Sequence, residues 1–165
     1  MVCYTYLALE TEIPVDTIAD ILSIEQFQLI GKPTTYNNLK VLLIRSPISE
    51  KHTMVSLGHY DVFYTQKRDK FIADSHRDSI DYMNYFRKRM VICQNNKKIL
   101  MNDLIDWFSL LTHCVVEKNI KKIGVFFNYK NQGVFLKRTE LQFVDLRIEH
   151  LLRLKEKQLI WINDG

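Results

Sequence analysis

Histidine and aspartate side chains gather in the middle of the chain, where their types and spacing suit metal chemistry. His59 and Asp61 are two residues apart, Asp74 and His76 have the same spacing, and His52 lies just upstream. Residues two apart in a strand point to the same side. Imidazole and carboxylate groups bind Zn²⁺, Mn²⁺ or Fe²⁺, and a metal with an open position activates water. One hypothesis is therefore a metal-dependent hydrolase or nuclease centred on His59, Asp61, Asp74 and His76.

A simpler interpretation of the same residues is a polar strand end followed by a solvated loop, because short His/Asp spacings often arise by chance. A thiol nucleophile has no better support. Cys114 adjoins His113, but consecutive residues on a helix project about 100° apart. No serine lies in a Gly-x-Ser-x-Gly frame. We therefore predict no catalytic residue and no cofactor, and keep the His/Asp metal site as the alternative.

Charge is divided unevenly along the chain, and a net charge of +4 hides this division. The first 31 residues contain five carboxylates and no Lys or Arg, whereas the segment from Arg87 to Arg138 contains eleven bases and three acids. Such asymmetry bears on partners and association rates, and not on the fold.

The acidic N-terminal segment is interpreted as a docking surface for a basic protein partner. Complementary charge accelerates encounter and excludes wrong partners, and nearby tyrosines supply aromatic anchors. A solvated helix face is the simpler explanation of the same pattern. The predicted partner-binding residues are Glu10, Glu12, Asp16, Asp20, Tyr4 and Tyr6.

The basic region 87–138 favours a second alternative, which is nucleic-acid binding. Its lysines and arginines lie near aromatic residues, and phosphate contacts together with base stacking need both types. However, the segment 122–129 lacks the aromatic pattern of RNA-recognition strands. The lysines at 118–122 also follow a predicted helix end, where positive charge is stabilised in any protein.

Composition and length predict a single globular domain covering residues 1–165. Apolar residues make up 47% and charged residues 25% of the 165 residues, which is typical of globular proteins. The N-terminus lacks the pattern of a secretory signal, and no apolar run reaches the length of a membrane span. Three scattered cysteines, Cys3, Cys93 and Cys114, indicate free thiols in a reducing compartment. A cytoplasmic location is therefore expected.

Strands alternate with helices and hairpins along the chain. The clearest helix, 103–117, has Asn102 as a predicted N-cap. From 139 onward, a capping box formed by Thr139 and Gln142 favours a helix over the alternating pattern at 144–148, which suits a strand. Strands are predicted at 2–9, 39–44, 54–57, 59–64, 91–95, 98–101, 122–128, 134–137 and 159–162, and the other helices at 14–24 and 79–89.

This order predicts an α/β or α+β domain with a mixed sheet and four helices, of which helix 103–117 packs on one sheet face. The size, the patchy charge and the missing catalytic set are similar to those of bacterial immunity proteins, which neutralise a toxin by masking its active site. The likeness rests on no shared motif. It implies a non-enzymatic protein-binding module with a toxin domain as its partner, and the metal and nucleic-acid hypotheses remain the alternatives.

Overall fold

Seven strands form one mixed β-sheet in the computed structural model, which describes residues 3–51 and 97–165. Together with four α-helices in the same residues, the sheet makes an α+β fold, as the sequence predicts. The strands are β1 (Tyr4–Glu10), β2 (Gln28–Leu29), β3 (Thr34–Tyr36), β4 (Leu39–Arg45), β5 (Lys122–Asn128), β6 (Lys137–Gln142) and β7 (Gln158–Asn163). The helices are α1 (Asp16–Ile24), α2 (Pro47–Lys51), α3 (Lys97–Val116) and α4 (Ile148–Leu152), and a 3₁₀ turn spans Phe143–Asp145.

The strand order across the sheet is β2-β4-β1-β5-β7-β6, and β3 also pairs with β4. All neighbours are antiparallel except β6 and β7, which are parallel. At the centre, Leu7 of β1 lies opposite Leu42 of β4 and Val125 of β5. The central strands β1 and β5 are therefore flanked on both sides, while β6 lies at the end of the order.

Strand β1 is buried on both faces of the sheet. Leu7 and Leu9 belong to the same buried cluster as Trp107 and Leu111 of α3, which we call the helix-side cluster. Because side chains alternate along a strand, Tyr6 and its neighbours face the opposite way. They join a second cluster, here the loop-side cluster, formed by Tyr6, Ala8, Leu39, Val41, Phe126, Phe135, Leu159 and Trp161.

The loop between β5 and β6 supplies Phe135 to the loop-side cluster. Asn128, which is fully buried, holds the start of this loop: its Nδ2 donates to the Gln132 carbonyl at 3.0 Å, and its Oδ1 accepts from the Lys130 amide at 3.0 Å. The Tyr36 hydroxyl donates to the Phe135 carbonyl at 2.9 Å. The buried side chain of Asn128 thus adds two hydrogen bonds that hold the backbone at the start of this loop.

Helix α3 starts earlier than the sequence indicates. It begins at Lys97, so the predicted strand at 98–101 is wrong, and Asn102 lies inside the helix rather than at its N-cap. Ile99 and Met101 pack against the helix-side cluster, and a short apolar run of this kind does not distinguish strand from helix by itself. Asp103 is buried and accepts a hydrogen bond from the Ser46 hydroxyl just before α2, which ties α2 to α3.

The predicted helix from residue 139 is wrong over its first part. Residues 137–142 form β6, whose Thr139 pairs with Ile160 of β7, and only the five residues of α4 are α-helical further on. Pairing with a strand some twenty residues away therefore outweighs the local helix preference of the capping box formed by Thr139 and Gln142. The predicted strand at 134–137 also begins later, at Lys137.

Candidate binding surface

The metal hypothesis falls on a part of the chain that the structure does not describe. His59, Asp61, Asp74 and His76 lie outside residues 3–51 and 97–165, as do the predicted strands at 54–57, 59–64 and 91–95 and the helix at 79–89. That hypothesis stays a prediction. Within the described ranges, no three His, Cys, Asp or Glu side chains are placed to hold a metal ion.

The acidic N-terminal residues lie at the end of β1 and along α1. Glu12 and Asp16 are exposed, and Glu10 is half-buried. Asp20 is engaged within the chain: its Oδ2 accepts from Lys118 Nζ at 2.6 Å, and its Oδ1 accepts from the Ile21 amide at 2.9 Å. These hydrogen bonds, led by the one from Lys118, lower the pKa of Asp20.

Helix α1 is placed so that Glu25, the carboxylate that follows its last residue, reaches α3. Its buried residues Ile18, Ile21 and Leu22 follow helical spacing and pack in the helix-side cluster. The helix ends at Ile24, and the C-cap residue Glu25 then reaches α3, where its Oε1 accepts from the Ser109 hydroxyl at 3.0 Å.

Glu25 also contacts the Nδ1 atom of His113, whose Nε2 lies 4.0 Å from Glu117. Burial and the charge of Glu25 raise the pKa of Asp106, which precedes His113 by two turns of α3. Two helices therefore bring their carboxylates to one surface. We call this surface the acidic face and define it as Asp16, Asp20, Glu25, Asp106 and Glu117.

The arrangement of Ser109, Glu25 and His113 does not activate a nucleophile. In a hydrolase triad, the imidazole lies between the hydroxyl and the carboxylate, so that it removes the hydroxyl proton. Here both Ser109 and His113 bind the carboxylate of Glu25, which therefore lies between them. This geometry joins α1 to α3, and its order of groups differs from that of an acyl-transfer triad.

The spacing of Asp106, Ser109, His113 and Glu117 in the sequence places them on one polar stripe of a helix, but spacing alone does not connect this stripe with the acidic N-terminal segment. Their common face on α3 indicates a polar neighbour, because a polar stripe beside buried residues faces either water or another polar element. Only the contact between α1 and α3 shows that Glu25 faces this stripe.

The two tyrosines predicted as anchors differ in position. Tyr6 is only 3% exposed; its ring stacks on Phe126 at 5.0 Å, and its hydroxyl donates to Asn131 Oδ1 at 3.2 Å. A partner would reach Tyr6 only if the loop between β5 and β6 moved. Tyr4 is half-buried and packs against the loop-side cluster. Neither ring lies on α1 or α3, which carry the acidic face.

The pKa of Tyr6 leads to a test of its burial. Burial, with a smaller contribution from Tyr4, raises the pKa of Tyr6 to about 12 from the usual value of 10.0. Between these values the unfolded chain loses the phenolic proton while the folded chain keeps it, so stability that is present below pH 10 is lost as pH rises toward 12. We expect the free energy of unfolding to fall more steeply over this range in the wild type than in Tyr6→Phe, as measured by urea titrations. Parallel profiles would show that Tyr6 titrates normally.

Cys114 is fully buried in the helix-side cluster, as the apolar side of the predicted helix indicates. Burial, together with the nearby charges of Asp20 and Glu25, raises the pKa of its thiol to about 12. The thiolate is the nucleophilic form of cysteine, so this side chain is inert in the folded protein.

The described lysines of the basic region near β5 lie at both ends of that strand. Lys122 and Asn128 mark the two ends of β5, which lie about 20 Å apart. Lys118 and Lys121 precede the first end, and Lys130 follows the second. The lysines at 118–122 are therefore separated from Lys130 by the length of β5, and three other basic residues (Arg87, Lys88 and Arg89) lie outside the described residues.

The fold and the site together define an α+β protein with an acidic helical surface. No family model, curated protein or solved structure matches this chain. In residues 3–51 and 97–165, no helix has both the length and the apolar character that crossing a membrane requires.

Proposed function

We propose that this protein is a non-enzymatic protein-binding module whose acidic face docks against a basic surface of a partner protein. The observation that carries the proposal is that carboxylates from two helices far apart in sequence share one surface. A toxin-neutralising inhibitor is the specific form that we favour. A toxin that acts on nucleic acid has a basic active site, because its substrate is a polyanion.

Exposed apolar side chains accompany the carboxylates on the same two helices. Ile24 of α1 is 70% exposed, and Val116 and Ile105 of α3 are 64% and 48% exposed. Protein interfaces combine apolar contact with a charged rim, so this mixture supports protein binding better than it supports binding of a small polar ligand.

The acidic face keeps a negative field despite its internal pairs. Lys118 neutralises Asp20, and His113 lies between Glu25 and Glu117. Asp16 is exposed and is not among the carboxylates that Lys118 and His113 contact. Complementary fields of this kind raise association rates and favour the correct orientation at encounter.

The closeness of Asp106 to Glu25 gives a cationic partner a specific place to bind. Burial, and to a smaller extent the charge of Glu25, raises the pKa of Asp106, so the ionised form of this carboxyl is disfavoured in the free chain. A Lys or Arg of the partner placed beside the two carboxylates would favour the ionised form of Asp106.

Charge reversal on the acidic face tests the proposal. We expect the double variant Asp16→Lys/Glu117→Lys to associate with the partner at least about tenfold more slowly at low salt, because steering by the field is lost. High salt should shrink the difference, since it screens exposed charges. The partner is first recovered from a lysate of the producing cells on the immobilised wild-type chain, and association rates are then measured by stopped-flow fluorescence.

The matched control is Asp145→Lys/Glu149→Lys, which also reverses two exposed charges, one in the 3₁₀ turn after β6 and one in α4. It should leave both the rate and its salt dependence unchanged. Thermal unfolding of all variants confirms that the fold is retained. If the acidic-face variant recovers the same partner at the same rate at every ionic strength, the acidic face is not the binding surface.

A further inference from the structure

Among the described strands, β6 lies at the edge of the sheet, and most of its residues are exposed. Within residues 3–51 and 97–165 it pairs with β7 and with no other strand. Five of its six residues are exposed, and Leu141 is half-buried against the helix-side cluster. Just outside the strand, Leu136 is 80% exposed and Val144 is 73% exposed. An exposed edge of this kind presents backbone groups that another strand can bind.

Two opposite charges lie on one side of this strand. Arg138 and Glu140 are two residues apart and therefore point the same way, and Arg138 Nη2 lies 3.1 Å from Glu140 Oε1. The guanidinium of Arg138 also lies 4.8 Å from the centre of the Trp161 ring, which fixes its position above the sheet. Thr139 is midway between the two charges in the sequence and points to the other face.

The pairing rules of an antiparallel ladder restrict how this strand can meet a second copy of itself. Along one edge of a strand, only every second residue points its N–H and C=O groups outward. In an antiparallel pair, a residue whose backbone groups point outward lies opposite another such residue of the partner strand. A two-fold axis must therefore pass through a residue and not between two. An axis at Arg138 opposes two arginines, and an axis at Glu140 opposes two glutamates.

An axis at Thr139 gives the only attractive charge register of these three. It places Arg138 of each copy opposite Glu140 of the other, so two reciprocal ion pairs form on the loop-side face. Lys137 then lies opposite Leu141, whose apolar surface its methylene stem can cover. Opposite charges directly across a ladder stabilise it, whereas like charges destabilise it.

We infer that β6 binds β6 of a second copy of this chain, antiparallel and centred on Thr139, to give a two-fold symmetric dimer with one continuous sheet. Charged edges usually prevent such pairing because most registers oppose like charges. Here the order Arg138, Thr139, Glu140 makes one self-complementary register available. The strand is short, so the interface is small and the dimer should dissociate on dilution.

Sedimentation velocity of the full chain tests this inference over a range of concentrations. For the wild type we expect a mass that rises from that of a monomer toward twice that value. Arg138→Glu and Glu140→Arg each turn both cross-strand pairs repulsive, so each should raise the dimer dissociation constant about tenfold. The double variant Arg138→Glu/Glu140→Arg exchanges the two charges and should restore wild-type dimerisation.

Lys130→Glu is the control, because it changes charge equally at an exposed position in the preceding loop. It should dimerise as the wild type does. Circular dichroism confirms that every variant folds, since the single reversals also remove the contact between Arg138 and Glu140 within the strand. A wild type that remains monomeric at every concentration overturns the inference. Association that the single reversals leave unchanged, or that the charge exchange fails to restore, equally overturns it.

Discussion

Replacing Trp107 by Ala should destabilise the protein by about 3–5 kcal/mol, the range for deleting a buried aromatic side chain. Trp107 is 1% exposed and belongs to the helix-side cluster, together with Leu7 and Leu9 of β1. Its ring meets Phe27 edge to face, with centroids 4.9 Å apart. Such aromatic contacts add to the stabilisation that burial provides. The free energy of unfolding, measured by urea titration with circular dichroism, is the appropriate measurement.

The control for this variant is Ile105→Ala on the same helix. Ile105 is 48% exposed, so its truncation should change stability by no more than about 0.5 kcal/mol. Trp107→Phe keeps an aromatic ring in the cluster and remains measurable if the alanine variant does not fold. A Trp107→Ala variant as stable as Ile105→Ala would mean that α3 does not pack as the structure describes.

Adding a single methyl group at Gly124 should also destabilise the protein, by about 1–3 kcal/mol. Gly124 lies in the central strand β5, and a Cβ there would approach Leu159 Cδ1 to 2.6 Å and Trp161 Cε3 to 2.9 Å. Both neighbours are buried in the loop-side cluster, so neither moves away without disturbing other contacts. Gly→Ala in a strand otherwise stabilises slightly, because glycine loses more conformational freedom on folding. A loss of stability in Gly124→Ala would therefore come from close packing around the new Cβ, and not from a change in conformational entropy.

A double-mutant cycle identifies the cause of this loss. Leu159→Ala removes the methyl group that the new Cβ of Gly124→Ala would meet, so the double variant should lose less stability than the two single losses added together. Chemical denaturation of the four proteins supplies the coupling energy. A Gly124→Ala chain that is as stable as the wild type, or more stable, would contradict the close approach of β7 to β5.

Several elements could be predicted from the sequence because their patterns are local. The predicted strands at 39–44 and 122–128 correspond to β4 and β5, and the predicted helix at 14–24 corresponds to α1. In each case, side-chain periodicity and the residues at the ends of the element depend on only a few neighbours. The mixed sheet followed from the order of these elements.

Elements that depend on distant partners were predicted poorly. Residues 139–142 carry a valid helix-start signal, yet they form a strand because β7 provides a parallel partner for Thr139 and its neighbours. The start of α3 was missed because Ile99 and Met101 find apolar partners in the helix-side cluster. A local pattern contains no information about such partners, and the energy of pairing and burial exceeds that of a cap.

At the candidate surface, too, some features follow from the local sequence and others only from contacts between distant elements. The acidic residues of α1 were identified from charge alone. The alternation of side chains along β1, however, did not reveal that the face carrying Tyr6 is covered by a loop. Nor could it show that Glu25 meets Ser109 and His113 on α3. Such contacts join residues more than eighty positions apart, and only the packing of two helices brings them together.

By itself, the sequence determined which segments are apolar on one side or on both, where charge accumulates, and that the chain folds as a mixed α+β domain. The tertiary structure decided which charges neutralise each other, which aromatic rings are buried and which strand lies at the sheet edge. The reason is physical: periodicity and charge are properties of the chain itself, whereas ion pairing, burial and strand order depend on which distant surfaces pack together.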